Sequence, residues 1–338
     1  MITQRIDVYK TCFPVLPAIT SPESIITRGD TITQRVDRVT SIPVFTRSPI
    51  APAPQSCKIE ITSFCPYKCT FCAKSTSTTP DGEMPRALYS RLIREMRAFG
   101  VQELAPFFVG ESFQCTWLAE AVKEAKDVGY PYVFLTTNGA SATEEKLKAV
   151  MAAGLDSLKF SINFHSAEQL QEVAQVSPKF WRRAIDNLKM ARKIRDEGGY
   201  NCGIYASSIA FDGEQGEKMQ AVIDEIAEHC DETYKLPLFS MNGAAKANGM
   251  KPGPGNPGRL DNMRDPLPCW SVWQAHIDRH GRLIACCFGD TPDNAHVMAD
   301  LTKVSFAVGW NNQKFQALRA AHLAKDVSRT GCADCVAG

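Results

Sequence analysis

The chain has 338 residues and balances 38 Lys plus Arg against 37 Asp plus Glu, a formal net charge of +1, which gives no electrostatic reason to expect nucleic acid or an anionic membrane as partner and leaves a small molecule as the default ligand. The length suits one barrel-sized domain, or such a domain with a smaller one beside it. No secretory signal opens the chain and no run of about 18 apolar residues could span a bilayer, so a cytoplasmic location is expected, and thirteen cysteines point to metal or redox chemistry rather than a disulfide framework.

Residues 1–54 are rich in Thr, Ser, Pro and Ile, and carry a short near-repeat, "ITQRID" at Ile2 and "ITQRVD" at Ile32. Two copies of six residues make no repeat architecture. The prolines of "SIPVFTRSPIAPAP" deny helix, so this segment is expected to be an irregular arm laid on the body. Across 55–241, short apolar runs alternate with amphipathic stretches of helix length, the pattern of parallel strands with crossover helices. The strand candidates are "CKIEIT", "LAPFFVG", "YVFLTTNG", "SLKFSIN", "CGIYASSI" and "YKLPLFSM". Five helix candidates lie between them, four ending at Gly, a preferred residue just past a helix. Six such units predict an α/β fold, a partial (β/α)6 TIM-like barrel. Residues 242–264 form a Gly, Pro and Asn linker, and 265–338 are expected to make a small C-terminal domain that holds five cysteines and little helix before "NNQKFQALRAAHLAK".

The stretch "EITSFCPYKCTFCAKS" places Cys65, Cys69 and Cys72 on one loop directly after the first strand. Thiolates bind soft metals, and this spacing lets one tight loop present three sulfurs to one cluster. Three ligands leave one iron of a [4Fe–4S] cluster without a protein thiolate, open to a substrate or cofactor. A partial zinc site is the plainer alternative. The loop resembles that of the radical S-adenosylmethionine (radical SAM) superfamily, and the resemblance extends over roughly Cys57 to Met241. It implies that Phe71 lies beside adenine, and that Gly110, Glu111 and Ser112 of "FVGES" hold the methionine amino group, with Val109 replacing the family's usual first glycine. It further implies cofactor contacts from Asn138 in "TTNG" and from Ser161 and Asn163 in "SINFH". The implied chemistry is one-electron cleavage of S-adenosylmethionine followed by hydrogen abstraction from an unactivated carbon, with a flavodoxin- or ferredoxin-type protein as electron donor.

The tail, with "PCWSVWQAHIDRHGRLIACCFGD" and "GCADC", is similar to the twitch or SPASM type of auxiliary-cluster domain, the shorter twitch form fitting its cysteine number. The resemblance implies a second [4Fe–4S] cluster on Cys269, Cys286, Cys332 and Cys335. Strand alternation sends Cys286 and Cys287 to opposite faces, and the Gly281-x4-Cys286 spacing favours Cys286, with Cys287 as its substitute. A structural zinc ribbon suits the same donors. Cys12, Cys57, Cys115, Cys202 and Cys230 have no partner at ligand spacing and are expected to be small buried hydrophobes.

Asn163, Tyr205, Ser207 and Lys235, with His165 and Ser208, are the polar residues on late strands and therefore the candidates for substrate contact or catalysis. They suggest a hydroxyl-rich or anionic ligand. The resemblance to small-molecule members implies a sugar-, cyclitol- or nucleoside-derived substrate in natural-product or antibiotic biosynthesis, undergoing dehydrogenation, dehydration or decarboxylation. A maturase of a ribosomally made peptide is the rival, disfavoured by an N-terminal arm that is not patterned as a leader-binding module. A non-catalytic iron–sulfur or zinc electron-transfer module is the other.

Overall fold

The computed structural model describes residues 34–35, 42–77, 79–211, 213–236, 267–287 and 294–333. The near-repeat apart from Gln34 and Arg35, Cys12, the linker 242–264, Cys335, and the boundaries expected after 241 and 264 lie outside these residues.

Six parallel strands follow one another in chain order: β1 (Ser56–Ile59), β2 (Glu103–Ala105), β3 (Tyr132–Thr137), β4 (Ser157–Ser161), β5 (Gly203–Ile209) and β6 (Glu232–Leu236). The crossovers carry helices α1 (Arg86–Phe99), α2 (Leu118–Asp127), α3 (Glu144–Ala152), α4 (Ala167–Ala174) and α5 (Lys179–Gly198), and α6 (Gly213–Ala227) precedes β6. This is the expected partial barrel. In α1 the buried residues Tyr89, Leu92, Ile93 and Met96 recur at helical spacing, so one stripe faces the sheet. The helix stops at Gly100, whose φ of 120° an L side chain rarely adopts.

Strand alternation gives the barrel two chemically different faces. Cys57, Ile59, Leu158, Phe160, Ile204 and Ala206 are fully buried in the core that joins sheet and helices. The pairing register puts Ser56, Glu103 and Tyr132 side by side on the opposite face. Two residues further along, Lys58 and Ala105 share that face, as do Phe134 and Ser157. Thr136, Lys159 and Tyr205 continue it, and Ser161, Ser207 and Tyr234 lie above them. The lumen is therefore polar while the outer face is apolar.

The tail builds onto this sheet. β7 (Ala275–Ile277) pairs in parallel with β1, and β8 (Arg282–Ile284) and β9 (Val297–Asp300) follow as antiparallel strands, giving one nine-stranded sheet ordered β6-β5-β4-β3-β2-β1-β7-β8-β9. The hairpin turn expected around Gly281 is present, with Gly281 at φ 79° and the Asp278 carboxylate accepting from the His280 and Arg282 amides. Helices α7 (Phe306–Trp310) and α8 (Gln313–Leu323) close the tail. Where described, the arm is helical at Gln34 and Arg35, against the expectation of an irregular arm, and has a 3-10 turn at Val44–Thr46. It is held by Trp310, whose indole donates to the Pro52 carbonyl at 2.8 Å, and by Asn311, which bonds both polar backbone groups of Ala51. Arg319 sits fully buried between Trp310 and Phe315 and donates to the carbonyls of Val272, Trp310 and Pro49. Burial alone pushes its guanidinium down to about 9, and the ring faces and carbonyl oxygens are what make that burial tolerable. Among the elements not anticipated from sequence are α4, whose Ser166 cap accepts from the Gln169 amide, the strand β9 and the five-residue α7.

Candidate active site

Four strand-end segments meet at the C-terminal edge of the barrel, where barrel sites assemble. The first is the Cys65–Cys72 loop after β1. Its backbone is fastened to α4 by Lys68 N–H to the Ala174 carbonyl at 2.9 Å and Thr70 N–H to Val173 at 3.0 Å. Tyr67 lies in an apolar cluster with Phe164, Leu170 and Ala174, with Phe71 and Phe180 against it. The Phe71 and Phe164 rings are 6.4 Å apart and tilted by 32°.

The second segment, "VGES" after β2, is stitched to the first half of the cysteine loop. Glu111 N–H donates to the Phe64 carbonyl at 2.8 Å. A Cβ on Gly110 would collide with the Thr62 carbonyl oxygen and come within 2.8 Å of Ser63 Cα, so only glycine permits this approach. Glu111 is buried, and its carboxylate accepts from Thr137 Oγ1 (2.7 Å), Asn138 N–H (2.7 Å) and Phe113 N–H (3.2 Å). It thereby locks "TTNG", the third segment, to the second. Burial raises the Glu111 carboxyl and these donors hold it down. Ser112 turns away from the edge, donating to the Pro106 carbonyl at 3.0 Å from a buried position; its hydroxyl braces the turn and does not face the cleft.

Asn138 links the third segment to the cysteines, its side-chain N–H reaching Cys65 Sγ at 3.7 Å. Asn138 also lines a narrow cleft with Tyr67, Ser161, Asn163 and Phe164, the last three from the fourth segment after β4. The cofactor-contact candidates Asn138, Ser161 and Asn163 thus come together beside the loop. His165 is further out, its backbone N–H donating to Gln169 Oε1. Tyr205 and Ser207 face the lumen, whereas Ser208 and Lys235 pair with each other on the opposite side of the sheet and Lys235 is exposed. Alternation removes those two from the lumen; reading "YKLPLFSM" without its register missed this.

Burial pushes all three loop thiols upward, Cys65 to about 12 with the charges of Glu111 and Cys72 adding to the effect. Free thiols in such a place stay protonated, and a bound metal supplies the charge that ionises them. Among the described residues no three His, Cys, Asp or Glu side chains converge on a single metal ion. Three soft donors on one loop fit an iron–sulfur cluster.

In the tail, Cys269, Cys286 and Cys287 are buried and Cys332 is half-buried. Cys269 N–H donates to His322 Nδ1 at 3.2 Å, Cys332 Sγ lies 3.8 Å from His296 Nε2, and Cys287 N–H donates to Ser271 Oγ. β8 ends at Ile284, so the alternation argument for Cys286 over Cys287 lapses: both thiols are turned inward from irregular backbone. Cys57, Cys115 and Cys202 are buried as small hydrophobes, and Cys230 packs against the core.

Glu60 went unnoticed in the sequence. Just beyond β1, it accepts from Val109 N–H (3.3 Å) and Arg279 N–H (3.2 Å), tying the second segment to the tail hairpin. Burial, with Asp278 adding, raises its carboxyl to about 7 against these backbone donors. The signal available was its period-two offset from Lys58, which places both on the lumen face.

Two family models match the chain, the Radical SAM superfamily over residues 59–226 and an iron–sulfur cluster-binding domain, SPASM, over 269–336. A GTP 3',8-cyclase of Chlorobaculum tepidum is 29% identical over 179 residues, which are 51% of this chain and 50% of that protein. The chain thus spans about half the length of this curated relative. Among solved structures, BtrN in complex with AdoMet and 2-DOIA superposes with a TM-score of 0.52 at 19% identity, covering 80% of this chain and 87% of BtrN. Streptococcus suis SuiB bound to S-adenosylmethionine gives 0.61 at 14% identity, covering 81% and 69%. At these identities the likeness is one of fold. No helix among the described residues is long and apolar enough to cross a membrane.

Proposed function

Because the chain belongs to the radical SAM superfamily and carries a SPASM-type iron–sulfur cluster-binding domain at its C-terminal side, we propose that it cleaves S-adenosylmethionine reductively and takes a hydrogen atom from a small hydroxylated molecule held in the barrel lumen. The observation that carries this is the locking of the three-cysteine loop, "VGES" and "TTNG" into one edge above a lumen face bearing the hydroxyls of Thr136, Ser161, Tyr205, Ser207 and Tyr234. Convergent hydroxyls in a concave site suit a polyol-like ligand, of sugar, cyclitol or nucleoside type.

Cys65, Cys69 and Cys72 would hold the cluster with the open iron. When bound, cluster and S-adenosylmethionine supply an electron and a 5′-deoxyadenosyl radical, chemistry that belongs to the cofactor. The chain's own residues position and shield. Asn138 donates toward the Cys65 sulfur, Glu111 holds the Asn138 backbone in place, and the aromatic cluster around Tyr67 and Phe164 excludes water beside the loop. Cys269, Cys332, Cys335 and one or both of Cys286 and Cys287 would hold the auxiliary cluster. A substrate radical that gave up its hydroxyl proton and passed one electron to the auxiliary cluster would become a ketone. One that lost a neighbouring hydroxyl as water would regain an electron from the reductant and a proton, a dehydration without net oxidation, and one that lost a neighbouring carboxylate as carbon dioxide would pass the electron to the auxiliary cluster and become an alkene. A role in antibiotic or other natural-product biosynthesis, with a flavodoxin or ferredoxin as reductant, fits each course.

A peptide substrate is the second reading, favoured by the fold shared with SuiB, a structure of which is bound to precursor peptide SuiA. The two separate on one experiment. Reduced protein and unlabelled S-adenosylmethionine are incubated with an extract from cells grown in heavy water, divided by membrane filtration into metabolites and peptides. Deuterium is expected in 5′-deoxyadenosine with the metabolite fraction only; its appearance with the peptide fraction alone would replace this reading by the second.

A further inference from the structure

Two lysines on the lumen face have no ion pair among the described residues. Lys58 on β1 and Lys159 on β4 both lie on the lumen face, and neither ammonium has a hydrogen-bond or ion-pair partner among the described residues. Other half-buried basic groups do have carboxylate partners, such as Lys126 on Asp156 at 2.7 Å and Arg195 on Asp231 at 2.6 Å. Three carboxylates share this face: Glu103 is paired with Arg35 at 2.8 Å, Glu60 is held by backbone amides at the barrel's upper edge, and Glu232, two strands from Lys159 on the same layer, makes no ion pair with either lysine. Lys58 instead lies over the Phe107 ring, 5.9 Å from its centroid. Burial lowers Lys159 to about 8, and the charge of Lys58 lowers it further in the same direction, so the two ammonium groups sense each other. Two like charges enclosed together disfavour the empty lumen unless an anion enters with them.

We propose that Lys58 and Lys159 together bind an oxyanion group, phosphate or carboxylate, carried by the substrate, so that the small molecule taken by this chain is anionic. Their level in the sheet supports this division of labour. Lys159 lies two residues below Ser161, one layer beneath the cleft that Asn138, Ser161 and Asn163 form beside the cysteine loop. A ligand anchored by its anion at the lysines would lie with its remaining length directed toward that edge. The lysines thus fix which end of the substrate points to the loop, and Thr136 and Ser207 lie on the lumen face at and above the level of Lys159, whereas the Tyr205 ring leans back toward Gly203.

The inference rests on the proposal that the lumen receives the substrate, yet it is tested separately, since anion binding does not require cleavage of S-adenosylmethionine. The cluster-loaded protein with bound S-adenosylmethionine is titrated calorimetrically with inorganic pyrophosphate in one arm and with citrate in the other. Binding is expected in at least one arm, which also tells phosphate from carboxylate, and Lys58→Met and Lys159→Met should each weaken it by about tenfold or more. Both variants should melt, without anion, at or above the temperature of the original chain, because an uncompensated charge has been replaced by an apolar chain of similar length. That result separates a binding role from a structural one. Absence of binding in both arms, unaltered binding in both variants, or weakened S-adenosylmethionine affinity in its place would overturn the proposal; the last outcome would assign the lysines to the cofactor's own carboxylate. A chain that bound pyrophosphate through the pair but left S-adenosylmethionine intact would keep this inference and remove the proposed reaction.

Discussion

Replacing Cys65, Cys69 and Cys72 together by Ala is expected to lower iron in the reconstituted protein from about eight to about four atoms per chain, and to remove the spectroscopic change that S-adenosylmethionine produces on the reduced cluster. Two thiol sets lie far apart in the chain, three residues on the loop after β1 and the remainder in the tail, and among the described residues no hydrogen bond joins residues 65–72 to the tail. Cys269 is bonded through its amide to His322, and Cys332 contacts His296, so the second cluster should survive. The loop itself is fastened by backbone bonds from Lys68 and Thr70 to α4, which Ala substitutions leave in place. Loss of all iron would mean that the two sets are not independent. Retention of all iron would mean that the loop is not a cluster site.

The second large effect is expected from a single methyl group. Gly110→Ala places a Cβ against the Thr62 carbonyl and the Ser63 backbone, atoms of main chain that cannot swing aside as a long side chain would. Either the "VGES" segment or the start of the cysteine loop must move, and the Glu111 N–H bond to Phe64 links the two. Because displacements of about 1 Å at a reacting site cost roughly a hundredfold in rate, 5′-deoxyadenosine formation should fall by about that factor or more. Iron content, which depends on the thiols and not on this contact, should fall far less. A variant with unchanged cleavage would show that the close approach is not needed, and one that fails to fold would place Gly110 in the core of the structure instead of its site.

The barrel was legible because its outer face is written in apolar alternation and its helices end on glycines; Cys57, Ile59, Leu158 and Phe160 mark the buried side unmistakably. The cysteine loop was legible for a different reason, since three thiols at that spacing have few other uses. What escaped is long-range. Strand-end polar residues were collected from sequence without register, and one residue of offset sends Ser208 and Lys235 to the wrong face. Lys58 and Lys159 sit inside strands that look ordinary and Glu60 just past one, and their meaning comes only from partners distant in sequence. The pairing of β7 with β1 was hidden for the same reason: three-residue strands give almost no periodic signal, yet here they join the tail to the barrel in a single sheet. The choice between Cys286 and Cys287 rested on a strand that ends at Ile284, before either of them.

One measurement bears most directly on the claim that this chain cleaves S-adenosylmethionine at the loop of Cys65, Cys69 and Cys72. The reconstituted protein is reduced under anaerobic conditions, given S-adenosylmethionine, and assayed for 5′-deoxyadenosine and methionine beside the triple Ala variant. The account predicts that both products form in equal amounts with the unaltered chain and that neither rises above background with the variant. Equal product from the two proteins, or none from the unaltered chain with both clusters in place, would contradict it.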